Sequence, residues 1–423
     1  MKVILAGTGC GSPGSMTVEV REAILQADLL IGAKRLLESI PFAGETERIA
    51  AIYPEEIMDA IRQAQQERAA ADAAAASGDG AAAEAPQICV LYSGDSGFYS
   101  GTRSLQPVLK EAGIEAEILP GISSIQVFAA RLGQPWQDWR LVSAHGTDCD
   151  AVAEVMQGRP VFFLTGGRLG PAELARQLTE AGLGALELAA GERLTYEDER
   201  IMRGTAEEFT QMTFAPLSVM LAQPAPWAGD LTPGIRDGAF IRGDVPMTKQ
   251  TVRAAILSEM QVREEDIVWD VGAGTGSVSV ELAMKARRGR VYAVERDRDG
   301  SILIRQNREK FGVWNLCPVD GAAPQALSDL PKPDKVFIGG SGGTLKEILG
   351  IALGKNGRVR ICVSAIVLET MQEAVQVMSA AGMEVQIRQV AVSAAKALGK
   401  RHMMTAENPI FIITGQRREE SGE

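Results

Sequence analysis

DIVWDVGAGTGSVSVELA, residues 266–283, runs an apolar stretch into a glycine turn and out into a helix-patterned segment. Gly272, Gly274 and Gly276 let the backbone bend tightly and come close to a ligand, and the helix that follows offers its N-terminus there. A second strand, RVYAVER (290–296), places Glu295 at its end, where a carboxylate can take both hydroxyls of a ribose. The glycine spacing is GxGxG, with Ser277 after Gly276, and not the GxGxxG of dinucleotide folds. A ligand built on adenosine other than a nicotinamide dinucleotide is therefore favoured. A nicotinamide dinucleotide and a purely structural glycine turn stay as alternatives.

Working outward, the helix TKQTVRAAILSEM (248–260), with Thr248 as its expected cap, precedes this stretch. The helix DGSILIRQNREKFG (299–312) and the strand DKVFIGGSGG (334–343) follow it. RVRICVSAI, MEVQIRQVAV and NPIFIITG supply later strands, so the order alternates and predicts a doubly wound α/β sheet. QPAPWAGDLTPGIRDG, rich in Pro and Gly, marks a linker that divides the chain into domains 1–224 and 240–423, with 225–239 between them. In the first domain, KVILAG, the loop AGTGCGSPGSMT (6–17) and a helix across TVEVREAILQADLLIG repeat the strand, glycine loop and helix order. QICVLYSGD, AEILPGISSIQVFAARLG and RPVFFLTGG continue it, and LSVMLAQ supplies a late strand. Residues 64–86 are Ala-rich and lack large apolar anchors, which predicts a mobile insertion after the helix around EEIMDAIRQ.

The chain has 423 residues, 46% of them hydrophobic and 23% charged, enough for two to three domains with full cores. Its start is too short for a signal segment and no long apolar run follows, so a cytoplasmic protein without membrane contact is expected. Five scattered cysteines without a CxxC pair and only two histidines predict reduced thiols and no metal site. Net charge is −11, unevenly divided: residues 1–225 carry 17 Lys+Arg against 30 Asp+Glu, and the remainder 26 against 24. Such a balance, with no basic stripe, disfavours nucleic acid and favours a small substrate.

The loops AGTGCGSPGSMT, SGDSGFYS (93–100) and PGISSIQVFAARLG (120–133) together resemble the tetrapyrrole methylase superfamily across the first domain. Cys10-Gly11-Ser12-Pro13 stands where uroporphyrinogen methylases usually carry an Asp, which points to the cobalamin-pathway branch. DVGAGTG with Glu295 resembles the first two motifs of class I methyltransferases. Ile338-Gly339-Gly340-Ser341-Gly342-Gly343 lacks the polar, Pro-Pro and aromatic residues of enzymes that methylate base amino groups. GIRDGAFIRGDVPMTKQTVRA, SAIVLET (364–370) and ALGKRHMMTAENPIFIITG (397–415) extend the resemblance to a fusion of two cobalamin-pathway methylases. It implies a two-lobed tetrapyrrole methylase fold followed by a Rossmann-like class I fold, with two S-adenosylmethionine sites. It further implies methylation of two meso carbons of a corrin precursor, C-5 by the first domain and C-15 by the second, with loss of a ring acetate carboxyl by the second.

For the donor, the resemblance points to Gly7, Gly9, Gly11, Gly94, Asp95, Ser123 and Ser124 in the first domain. In the second it points to Thr248, Asp270, Gly272, Gly274, Thr275, Gly276, Glu295, Ala322 and Ala323. A carboxylate-rich tetrapyrrole calls for cations at its entrance, for which Arg242, Lys249, Arg253, Lys396, Lys400 and Arg401 are candidates, beside the turn Gly340, Ser341 and Gly342. His145 and His402 are the acid/base candidates. Family resemblance also suggests a homo-oligomer, dimeric through the first domain and tetrameric through the second. An RNA methyltransferase, or a non-catalytic protein that binds donor and tetrapyrrole, remain the competing readings.

Overall fold

A computed structural model describes residues 2–75, 86–226 and 233–417. The chain divides into two compact units. One gathers the chain up to Cys149 with Pro160–Arg176 and Glu187–Gln223, and the other gathers Asp150–Arg159 and Gln177–Leu186 with the chain from Pro224 on.

The first unit holds two sheets. Strands β1 (Lys2–Gly7), β2 (Leu29–Gly32), β3 (Glu47–Ala50), β4 (Gln87–Tyr92) and β5 (Ala116–Leu119) form one in the order β3-β2-β4-β1-β5, every pairing parallel. Parallel strands covered on both faces read as continuous apolar runs, and Val3, Ile4, Leu5 and Ala6 are all buried. Strands β6 (Arg140–Ser143), β7 (Val161–Leu164), β8 (Glu187–Glu192), β9 (Arg200–Thr205) and β10 (Ser218–Ala222) form the other in the order β6-β7-β10-β8-β9. There only β6 and β7 run parallel.

In the second unit, β11 (Ile267–Val271), β12 (Arg290–Glu295), β13 (Leu316–Asp320), β14 (Lys335–Ile338), β15 (Arg360–Ala365), β16 (Glu384–Val390) and β19 (Ile410–Gln416) form one sheet. Its order is β13-β12-β11-β14-β15-β19-β16, parallel from β13 to β15, with β19 antiparallel to both neighbours. Side chains alternate across a strand, so adjacent Val268 and Trp269 enter separate cores. Val268 packs with Ile256, Val280 and Leu316, and Trp269 with Val336, Ile348 and Ile413. This is the doubly wound sheet expected from the alternating order. The strand order reverses at β11, the place where open α/β sheets leave a crevice at their carboxyl ends.

Several local expectations need correction. The segment TVEVREAILQADLLIG is not one helix: Thr17 caps the helix Val18–Leu25, and Leu29–Gly32 is β2, whose aliphatic run is buried. The Ala-rich segment begins as helix, because Pro54–Ala75 is continuous and alanine is the strongest helix former. Residues 76–85 of that expected insertion lie outside the described residues. Thr248 is not the cap of the helix Gln250–Met260; Lys249 holds that position without a side-chain bond. Within the expected linker, Ile235 belongs to the apolar core of the second unit. A hairpin of β17 (Ser393–Leu398) and β18 (Arg401–Ala406), exposed at every residue, was missed altogether.

Arg253 is fully buried and so cannot meet a substrate. Its Nε donates to Glu281 Oε1 at 2.9 Å and its Nη1 to Asp237 Oδ1 at 2.8 Å, while the guanidinium also donates to the carbonyls of Thr248 and Ile235. Glu281 in turn accepts from the backbone N–H of Gly234 at 2.6 Å and of Ile235 at 3.1 Å. The Phe240 ring lies 4.7 Å from the guanidinium carbon. One buried ion pair thereby fixes residues 234–240 against two helices. Glu281→Gln should destabilise the second unit by about 3 to 5 kcal/mol, the scale of a broken buried pair, while Arg253→Met with Glu281→Leu should recover only part of the loss, because the Gly234 and Ile235 amides then lack their acceptor. Denaturant unfolding followed by circular dichroism checks both.

Candidate functional site

A cavity of about 1480 Å³ opens at the carboxyl ends of β11, β12, β14 and β15, above the range of about 300 to 1,000 Å³ that holds one small ligand. Its existence depends on glycine. At φ +73° Gly272 adopts a left-handed conformation, and a Cβ there would fall 2.7 Å from the carbonyl oxygen of Gly340 and 2.8 Å from its nitrogen. The loops after β11 and β14 thus meet backbone to backbone. Gly339 N donates to Val271 O at 2.9 Å, which ties the two strand ends together.

Glu295 sits at the end of β12, 9% exposed. Its Oε2 accepts from Gly274 N at 2.7 Å and its Oε1 from Asp297 N at 2.9 Å. Each oxygen keeps a lone pair for a ligand hydroxyl. Asp270, at the floor of the cavity, is wholly buried; its Oδ2 accepts from the Ser279 hydroxyl and its Oδ1 has no partner in the structure. Burial pushes the Asp270 carboxyl up to about 7, the Ser279 bond opposes this, and the Glu295 charge adds to it. Thr275, 1% exposed and lining the same cavity, likewise leaves its Oγ1 unpartnered. Buried polar atoms without partners are uncommon in folded proteins, and these two share one cavity.

Thr248, Asp270, Gly272, Gly274, Thr275, Glu295, Ala322 and Ala323 all line this cavity, as do Lys249, Gly340, Ser341 and Gly342. Gly276 does not: its missing Cβ makes room for Ile304 at 3.0 Å, so it serves helix packing. Arg242 is exposed away from the lining, and Arg253 is the buried anchor described above. Lys396, Lys400, Arg401 and His402 lie on the exposed hairpin β17–β18 and not in the lining. Sequence spacing could not reveal that the chain bulges into a separate hairpin there. The expected basic entrance is accordingly thin. Lys249 and Arg296 are the lining cations, against the carboxyl groups of Asp244, Asp270, Glu295, Asp297, Asp299 and Glu407. Arg296, Glu407 and Asn408 were missed; the only signal was their position beside strand ends.

In the first unit the three glycine loops also converge. Gly9 and Gly94 exchange backbone bonds at 3.1 and 2.7 Å, and a Cβ on Gly7 would fall 2.7 Å from Gly121 N. Asp95 spends both oxygens on loop backbone, accepting from Gly97 N at 2.9 Å and Gly121 N at 3.0 Å. Ser124 opens the helix Ser124–Leu132, whose start carries a capping box in which Gln126 Oε1 accepts from Ser123 N at 2.8 Å. Tyr196, which sequence reading missed, sets its hydroxyl where a Cβ on Gly11 would be, and accepts from Arg35 Nη1 at 2.7 Å. Thr195 beside it holds φ +72°, a strained conformation for a β-branched residue, while its Oγ1 accepts from Ser12 N at 3.2 Å. No local pattern announces a contact between residues so far apart in sequence. His145 is exposed, its ring lying over Gly166. Among the described residues no cluster of three or more His, Cys, Asp or Glu is placed to hold a metal, and no helix is long and apolar enough to cross a membrane.

Two family models match the chain: tetrapyrrole (corrin/porphyrin) methylases over residues 2–210, and the precorrin methyltransferase domain over residues 239–417. A probable cobalt-precorrin-6B C(15)-methyltransferase (decarboxylating) of Pyrobaculum calidifontis is 41% identical over 186 residues, 43% of this chain and 95% of that protein. A precorrin-6Y C(5,15)-methyltransferase [decarboxylating] of Sinorhizobium sp is 36% identical over 260 residues, 60% of this chain and 62% of that protein. A solved structure of precorrin-6y C5,15-methyltransferase from Geobacter metallireducens is 38% identical, covers 44% of this chain and 96% of its own, and has a TM-score of 0.42.

The raised pKa of Asp270 carries a consequence for stability. The folded unit keeps that proton up to about pH 7, whereas an unfolded carboxyl loses it near its ordinary value of 3.8, so stability falls as pH rises between the two. Asp270→Asn removes the penalty. Its gain in melting temperature over the parent should be larger at pH 8 than at pH 5 in scanning calorimetry, and an equal gain at both would contradict the assignment.

Proposed function

Because the chain belongs to the decarboxylating precorrin methyltransferase family, we propose that it methylates a precorrin-6-level corrin precursor at C-5 and C-15 and removes the carboxyl of the ring C acetate, giving a precorrin-8-level product on the way to cobalamin. It is an S-adenosylmethionine-dependent C-methyltransferase. Within our reading each unit holds one donor, the first at the loops around Gly7, Gly9, Gly11, Gly94, Asp95, Ser123 and Ser124, the second in the large cavity. The first unit takes C-5, and the second takes C-15 and the decarboxylation.

The observation that carries the second site is the set of groups on its floor. The donor is a sulfonium with an ammonium group, and it supplies an already activated methyl when bound. Glu295 presents two carboxylate oxygens to a ribose, and the unpartnered Asp270 Oδ1 and Thr275 Oγ1 await polar groups of a ligand. The acid-rich lining suits the cationic donor and repels the phosphates of a polynucleotide. A meso carbon flanked by pyrroline rings is an enamine, so the protein need only position and desolvate the partners. The same conjugated imine system receives the electron pair of the breaking C–C bond when carbon dioxide leaves. This chemistry fits a cavity in which neither histidine takes part. Lys249 and Arg296 are the cations we assign to the acceptor's carboxylates. The exposed hairpin β17–β18, with Leu398, Met403 and Met404 open to solvent, is the surface we assign to association of copies of the chain.

Incubation of the intact chain with a precorrin-6-level substrate and methyl donor should give a product heavier by two methyl groups and lighter by one carbon dioxide in mass spectrometry. A product without methyl gain would refute the reading. Glu295→Ala should weaken binding of S-adenosylhomocysteine at one site by about 1 to 3 kcal/mol, the scale of lost hydrogen bonds to a charged group, and leave the other unchanged in titration calorimetry.

A further inference from the structure

Ile366, Val367 and Leu368 follow the end of β15 and are 61%, 54% and 60% exposed. Ile366 lines the large cavity, and so does Ile302, 43% exposed on another element. Three successive large aliphatic residues left open to water are a sequence error unless they serve a function. Val367 is also the N-cap of the helix Leu368–Ala380 and makes no side-chain cap bond there. Polar residues are strongly preferred at that position, so the segment gives up local stability to remain apolar. Strand β15 is the parallel neighbour of β14, with Ile338 opposite Val363, so this apolar lip stands beside the turn Gly339–Gly343 at the same end of the sheet.

The lining charges leave this lip a specific task. With six carboxyl groups and two cations around the cavity, charge alone cannot hold a multiply anionic acceptor. The cavity's volume also exceeds what a single small ligand fills. We propose that Ile366, Val367, Leu368 and Ile302 form an apolar lip that takes the flat face of the macrocyclic acceptor, so that these residues set acceptor affinity and selectivity while the donor is held independently below. This proposal rests on the reading of the second unit as a corrin methyltransferase, and it commits to a conjugated tetrapyrrole as the occupant. Its carboxylate arms reach outward to water, Lys249 and Arg296. The apolar ring, which the acid-rich floor would not attract, gains by leaving water against the lip.

The test uses the intact chain, the double variant Ile366→Ser with Leu368→Ser, and the conservative variant Ile366→Leu with Leu368→Met. Uroporphyrin serves as a carboxylated macrocycle probe, read by its absorbance shift, beside S-adenosylhomocysteine titrations and sedimentation velocity. The serine variant should bind uroporphyrin at least tenfold more weakly and raise KM for the precorrin substrate similarly, with kcat changed less. Its S-adenosylhomocysteine affinity and sedimentation should match the parent, and the conservative variant should retain parental affinity. Parental porphyrin affinity in the serine variant, no porphyrin binding by the parent, or a changed sedimentation coefficient, which would assign the lip to contacts between copies of the chain, each overturns the proposal. If the parent turns over precorrin while the serine variant keeps the parental KM, the lip fails and the methyltransferase reading stands. If the parent transfers no methyl group, the reading itself fails.

Discussion

The second unit depends on the close approach of the loops that leave β11 and β14. Their backbones touch at Gly272 and Gly340, where a Cβ on Gly272 would collide, and this contact sets the width of the crevice at the point where the strand order reverses. Everything functional in the unit is placed relative to it. Glu295 arrives from β12 on one side and holds the glycine loop through Gly274 N–H, while the turn Gly339–Gly343 arrives from β14 on the other. Asp270 closes the floor because it is the penultimate residue of β11, directed into the protein between them.

A second constraint holds the remaining wall. Residues 243–249 line the cavity, and they follow directly on the segment that the Arg253–Glu281 pair clamps. The carbonyl of Thr248 accepts from the same guanidinium, so one buried charge ties both ends of that wall. A buried pair of this kind adds little net stability over an apolar equivalent, and its worth lies in fixing one arrangement. That function explains why an arginine that looks like a carboxylate receptor in the sequence is spent inside the protein.

What the sequence could reveal follows from the range of the signals. Glycine spacing, strand-ending carboxylates and alternating apolar runs are local, so the doubly wound sheet, the place of Glu295 at the end of β12 and the positions of the glycine turns were legible. Charge assignments were not, because whether a cation faces a substrate is a matter of tertiary packing. Arg253 went inward to meet Glu281, and Lys400 and Arg401 left with a hairpin whose strands are exposed at every residue. The lining role of Arg296 and Glu407, and the contact of Tyr196 with the loop at Gly11, arise between segments distant along the chain. The helix to Ala75 was hidden for a different reason: low complexity suggested disorder, where alanine's own propensity prevailed.

We propose that one chain carries two methylation chemistries, with decarboxylation confined to the unit that has the large cavity. The direct measurement is product mass from the intact chain and from its Gly272→Val variant, whose added side chain would collide with Gly340 and close the crevice of the second unit. Supplied with precorrin substrate and methyl donor, the parent should add two methyl groups and lose one carbon dioxide, and the variant should add one methyl group only. Loss of carbon dioxide by the variant at the parental rate would contradict the account.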